Sequence, residues 1–420
     1  MNYKLYKKDN LNIYTVKINK FKYSVIDICF KNKMSDINIT NMNMLVDFLI
    51  YSCKKYPTKR ELSIAGEELY NSAVRGFNFR KGNYLYTTFS LDFLNPKYCE
   101  EGYLNKLVDL FKEVIYNPNF KNNKCDSRTF NIVKNRLKSD IETEKESATV
   151  YAKLRSLYHM DKDSLSSKSA IGTIEDLEKI NESNLVDVYN KFMSNSSCEV
   201  YIVGNLEMDN LVKMFKDNFN LPVKDNSIPK DLIIYNKLAK KVKDVEEEGR
   251  YEQDSLFLIY NLDNLTDKEK KYVINVYNNI FGSGGLTAKL YKYVREENSL
   301  CYNISSTYVK HDSLLSVYVG LDAKDKSKCL ELINKAFDEM KKGDFSTEEL
   351  ENAKKTIINS VSSSYDSPDG ILSNYYNYFT ENMALPEERI KIYDGITKEE
   401  VMEIAKKIKL NTIYILKGSE

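Results

Sequence analysis

The chain contains itself twice. Ile180, Leu185, Val188 and Phe192 recur as Ile396, Val401, Ile404 and Ile408, each 216 residues further on. Both sets stand at helical spacing. Each helix then passes through a short polar turn into a strand, Val200–Val203 and Ile413–Leu416, now 213 residues apart. Earlier in each half, Phe130, Val133, Leu137 and Ile141 match Leu350, Ala353, Ile357 and Val361 at an offset of 220. An amphipathic helix precedes each of these, around Leu104–Ile115 and Leu330–Met340, and ends in a turn bearing Phe120 or Phe345. The same elements in the same order at similar offsets require a fold built from two similar halves.

Within each half, β-branched and aromatic runs predict strands at Ile13–Ile18, Tyr23–Phe30, Tyr84–Leu91 and Val200–Val203, then Ser255–Tyr260, Ser299–Tyr308, Ser313–Leu321 and Ile413–Leu416. Helices fill the gaps, with capping-box spacing at Thr58–Glu61, Thr266–Glu269, Ser346–Glu349 and Thr397–Glu400. Strands grouped apart from helices predict an α+β fold, each half a mainly antiparallel sheet packed against helices. The halves are expected as domains over 1–222 and 252–420, joined by a linker over 223–251 whose Glu246–Glu248 run reads as solvated surface.

Composition narrows the partners. Lys+Arg is 62 against Asp+Glu 61, a net charge of +1, so no global field draws in nucleic acid or an anionic membrane. No secretory signal opens the chain, and its apolar runs fall far short of the roughly 20 residues of a membrane span. Seven cysteines scattered without a CxxC read as the thiols of a cytoplasmic protein.

The conventional catalytic motifs are missing. Gly282, Gly284 and Gly285 form neither a phosphate loop nor a dinucleotide fingerprint, and close backbone approach at a helix start explains them. His159, near a helix end, and His311, in a hairpin turn, have no metal-ligand companions at zinc spacing. Arg295 ends the helix that the glycines open, and Tyr302 follows seven residues later. By spacing alone they are a surface cation and a sheet residue. Brought together, a guanidinium and a phenol could both donate hydrogen bonds to a peptide carbonyl.

The stretch Phe281–Tyr302, with FGSGG, Leu290, Val294–Arg295–Glu296 and Leu300–Cys301–Tyr302, resembles the C-terminal half of the insulinase/pitrilysin zinc peptidases, in the branch of mitochondrial processing peptidase. The resemblance implies two duplicated domains facing each other as half of a clamshell, with Arg295 and Tyr302 binding substrate. Active members carry HxxEH in the first half, and none occurs here. Aligning Lys54–Lys55–Tyr56–Pro57 on the family's sequence after that motif puts Asn43 and Asp47 at the histidines and Val46 at the general base, with the distant ligand near Asp140. Val46 cannot take a proton from water. The chain therefore looks like a non-catalytic member, inactive alone and without a cofactor, zinc being expected only in a partner subunit. An HxxEH-containing homologue is the expected partner, with peptide or protein as substrate. The alternative is a stand-alone peptide-binding homodimer.

Overall fold

The computed structural model describes residues 3–8, 11–221 and 229–419. Its strands are β1 (Tyr3–Lys8), β2 (Leu11–Lys17), β3 (Tyr23–Lys33), β4 (Ala73–Lys81), β5 (Tyr84–Leu94), the two-residue pair β6 (Phe120–Lys121) and β7 (Lys124–Cys125), β8 (Ser197–Gly204), β9 (Lys243–Gly249), β10 (Asp254–Leu262), β11 (Cys301–Val309), β12 (Leu314–Leu321) and β13 (Ile408–Gly418). One sheet runs β1-β2-β8-β3-β5-β4 and the other β11-β12-β10-β13-β9. Without β1, the two orders are the same. In each, one pair is parallel, β2 with β8 and β9 with β13, and every other neighbour is antiparallel. The repeat in the sequence is thus a repeat of topology, and the α+β class is as expected.

All eight expected strands form. Five strands were not expected: the two-residue pair β6 and β7, and β1, β4 and β9, which are all sheet edges. An edge strand carries charges that discourage pairing with other chains, which breaks the apolar alternation by which strands are recognised. β9 reads KDVEEEG and lies inside the segment expected as linker. Residues 222–228 of that segment fall outside the described residues.

The four capping boxes are all made. Thr58, Ser346 and Thr397 each accept from the backbone of the glutamate three residues on, whose carboxylate returns the bond. Thr266 and Glu269 do the same, at 3.3 and 2.6 Å.

Two compact units share the chain, and each includes a helix from the other half of the sequence. One comprises 1–142, 170–230 and 365–382; the other comprises 143–169, 231–364 and 383–420. The exchanged helices, Ala148–Met160 and Pro368–Glu381, are themselves equivalent, their starts 220 residues apart. Pro368–Glu381 seats on the first sheet through aromatic rings: Phe379 stacks on Tyr14 at 3.7 Å, and Tyr376 meets Tyr201 and Tyr86 at 5.4 and 5.8 Å. A buried Lys81–Glu381 ion pair fixes its end, with Lys81 also donating to Asn377 at 3.0 Å. Ala148–Met160 buries Ala152, Leu157 and Met160 against Phe257, Ile259 and Tyr414 of the second sheet. Among the described residues no helix is long and apolar enough to cross a membrane.

Candidate functional site

The first-half positions lie on the Ile39–Tyr51 helix, capped by Asn38. Its face bearing Met44, Leu45, Val46, Phe48 and Leu49 is buried core. Val46 is 2% exposed, and a side chain at Gly76 of β4 would come within 2.8 Å of its Cγ1, so sheet and helix touch there without room for polar atoms. Asn43 is fully committed. Its amide donates to the carbonyls of Ala170 at 2.9 Å and Ile171 at 2.8 Å, and its Oδ1 accepts from Asn78 of β4 at 2.9 Å.

Asp47 is half-buried and has no hydrogen-bond partner among the described residues. Burial pushes its carboxyl up, Arg136 opposes this, and Asp140 adds to it. Asp140 sits exposed on the Ser127–Glu146 helix. The cation that acts on Asp47 is thus the guanidinium of Arg136. This donor set does not fit zinc. A tetrahedral site needs three or four N, S or O donors, and of the three ligand positions Asn43 is an amide already committed to other hydrogen bonds, leaving only the carboxylates of Asp47 and Asp140. No group of three or more His, Cys, Asp or Glu able to hold a metal occurs among the described residues.

The second-half positions share one compact turn. The chain winds as a π-helix over Asn279–Ser283, tightens to a 3₁₀ turn at Gly285–Thr287, and widens again to a π-helix over Tyr291–Glu296. The glycines allow this. A Cβ at Gly282 would lie 2.5 Å from the Ser306 hydroxyl and 2.6 Å from Leu290, and Gly285 has φ +63°. Lys289, 5% exposed, ion-pairs with Glu339 at 2.8 Å, and Tyr293 donates to the same carboxylate at 2.7 Å, pinning this turn to the Lys326–Lys342 helix.

From that base project the two expected substrate contacts. Arg295 stacks on Tyr291 at 4.9 Å and has no carboxylate partner among the described residues. Its charge reaches Cys301, whose thiol burial pushes up to about 11 while Arg295 pulls it down. Tyr302 falls in a β-bulge, where the pairing of β11 with β12 slips between Cys301 and Asn303. The bulge turns the ring out of the ladder, leaving it 79% exposed. The two side chains make no direct contact with each other.

The structure also gathers groups that sequence reading left apart. Glu247 lies in the acidic run expected as solvated surface, yet it accepts from Arg155 at 2.9 Å, lies 2.7 Å from His159 Nε2 and accepts from Tyr414 at 2.8 Å. Arg155 foremost, then His159 and Tyr414, hold its carboxyl down to about 2. Arg155 and His159 are 92 and 88 residues away in sequence, and no local pattern joins them. The pairing of β9 with β13 and the packing of the Ala148–Met160 helix on that sheet bring them together.

Comparison with known proteins places the chain. Residues 179–357, which include the whole glycine turn, Arg295 and Tyr302, match the family model of the peptidase M16 inactive domain. The probable inactive metalloprotease YmfF of Bacillus subtilis is 27% identical over 422 residues, covering 99% of this chain and 97% of that one. Residues 179–357 are thus similar to the M16 inactive domain, and the chain as a whole is similar to a relative named as an inactive metalloprotease. The resemblance seen in Phe281–Tyr302 is thereby borne out. A conserved protein of Enterococcus faecalis V583 shares the M16 fold with a TM-score of 0.93 at 24% identity, covering 100% of this chain and 99% of that one. A mutant of the ferredoxin protease FusC, solved in complex with Arabidopsis ferredoxin, shares it with a TM-score of 0.73 at 14% identity, covering 100% of this chain and 45% of that one.

Proposed function

We propose that this chain is the non-catalytic subunit of a heterodimeric peptidase, binding and positioning peptide for an HxxEH-bearing homologue. The observation that carries this reading is an asymmetry. The first-half positions are core and backbone hydrogen bonds through Val46 and Asn43, while Arg295 has no carboxylate partner among the described residues and Tyr302 is exposed. A buried hydrocarbon where a base is needed leaves no route to an activated water in this chain. A free guanidinium and an exposed phenol are suited to hold a peptide carbonyl. Edge strand β4 offers unpaired backbone to which an extended segment can add. The FusC complex supports a protein substrate, and this chain covers less than half of that relative, so a second chain of the same kind would supply a comparable remainder.

The test is cleavage of a peptide library by the HxxEH homologue alone, by the mixture, and by mixtures carrying Arg295→Ala or Tyr302→Phe. The mixture is expected to cleave faster than the homologue alone, and each variant to lose that gain. A mixture no faster than the homologue alone, or variants equal to wild type, refutes the proposal. Co-purification of a homodimer free of any HxxEH chain would favour the stand-alone peptide-binding reading instead.

A further inference from the structure

The second unit holds a basic cleft unrelated to the Arg295 turn. Its volume is about 480 Å³, within the range of small-molecule sites. Lys162, Lys237, Lys240 and Lys243 line it together with His159, against one carboxylate, Asp161. That excess is local, because the whole chain carries only +1.

Surface lysines are common in a chain of this composition, and three observations set these apart. Lys162, Lys237 and Lys240 have no carboxylate partner among the described residues, whereas many other lysines of this chain do. Lys243 donates to the carbonyls of His159 and Met160 at 2.6 and 3.1 Å. It thereby satisfies the end of the Ala148–Met160 helix and cancels the partial negative charge that would otherwise face an anion. Finally, His159 is fixed rather than free. Glu247 and Arg155 lie 2.7 and 3.2 Å from its Nε2, the ring lies parallel to Tyr414 at 5.8 Å, and Tyr158 meets it edge-on at 5.6 Å. Its Nδ1 has no partner among the described residues. Asp161 is itself engaged, its Oδ1 accepting from the backbone of Asp163 at 3.1 Å.

We propose that this cleft binds a compact oligophosphate group, with the lysines as point charges and His159 as a fixed hydrogen-bonding wall. Ammonium groups pair with phosphate oxygens without the planar fork that carboxylate recognition favours. The volume admits a tri- or diphosphate. Inorganic polyphosphate and a nucleotide tail share this chemistry, and exposed Tyr158 and Leu238, both in the cleft lining, provide apolar surface for a base in the second case.

Calorimetric titration of the full chain at about 150 mM salt, where exposed charges are largely screened, tests this with inorganic tripolyphosphate, ATP and an oligoglutamate peptide in separate arms. Saturable 1:1 binding of tripolyphosphate or ATP is expected, and the tighter of the two identifies the source. The combined Lys162→Gln, Lys237→Gln and Lys240→Gln variant is expected to weaken it at least about tenfold. A control variant, Lys97→Gln with Lys121→Gln and Lys124→Gln, is expected to leave it unchanged. In wild-type protein the ring signals of His159, one of two histidines in the chain, are expected to shift on titration. Absence of saturable phosphate binding, binding of oligoglutamate instead, equal loss in both lysine variants, or an unmoved His159 overturns the proposal.

Discussion

Asn78 donates its side-chain amide to Oδ1 of Asn43 at 2.9 Å, joining β4 to the Ile39–Tyr51 helix at the position expected to match the first histidine of the zinc motif. Asn43 spends its own two protons on Ala170 and Ile171. The position has become part of the scaffold.

Asn43→Leu should therefore cost about 2–3 kcal/mol, because it leaves two carbonyls and the Asn78 amide without partners. Val46→Glu should cost about 3 kcal/mol or more by placing a carboxylate in a buried, close-packed contact. Urea denaturation followed by circular dichroism checks both. Stabilities within about 0.5 kcal/mol of wild type would show that these residues are not structural.

At the second-half turn the expectation reverses. Tyr302→Ser should change stability by less than about 0.5 kcal/mol, since the ring is exposed at a bulge, and Arg295→Ala by less than about 1 kcal/mol, the worth of its stacking on Tyr291. Gly282→Ala should cost about 1–3 kcal/mol, because the new methyl must displace Ser306 and Leu290. Thermal melts of the three variants suffice to compare them.

The exchanged helices make the sequence halves interdependent. A fragment of residues 1–222 lacks Pro368–Glu381 and exposes Tyr14, Tyr86 and Tyr201, which are buried in the intact chain. It should bind a hydrophobic dye and aggregate. A peptide of residues 365–382 added in trans should reduce both signals, as measured by dye fluorescence and light scattering.

Two carboxylates give opposite pH signatures. Glu247 is held down to about 2 from an ordinary 4.5, so its stabilisation is present above 4.5 and is lost as pH falls toward 2. Glu247→Gln should lower Tm at pH 7 and leave it nearly unchanged at pH 2. Asp27 is the reverse. Burial, with Asp369 and Asp92 adding to it against Ser90 and Arg75, pushes it up to about 7 from 3.8. The unfolded chain then loses this proton first, and stability falls as pH rises through that interval. Asp27→Asn should raise Tm more at pH 8 than at pH 5. Melting curves across pH 2 to 8 separate the two effects.

The sequence by itself determined the duplication, the α+β class, eight strands and four helix starts, because these rest on local periodicity and on capping bonds that span three residues. It also showed that the zinc motif is missing, since that is a matter of residue identity. The tertiary structure alone decided which strands sit at the edges, because β1, β4 and β9 are charged or glycine-bearing and look like strands only once a neighbour pairs with them. It alone exchanged the helices Ala148–Met160 and Pro368–Glu381, since equivalent amphipathic helices carry no mark of which sheet they will cover. And it alone joined Glu247 to Arg155 and His159, because hydrogen bonds between residues some ninety positions apart are set by how a helix packs on a sheet and leave no trace in spacing.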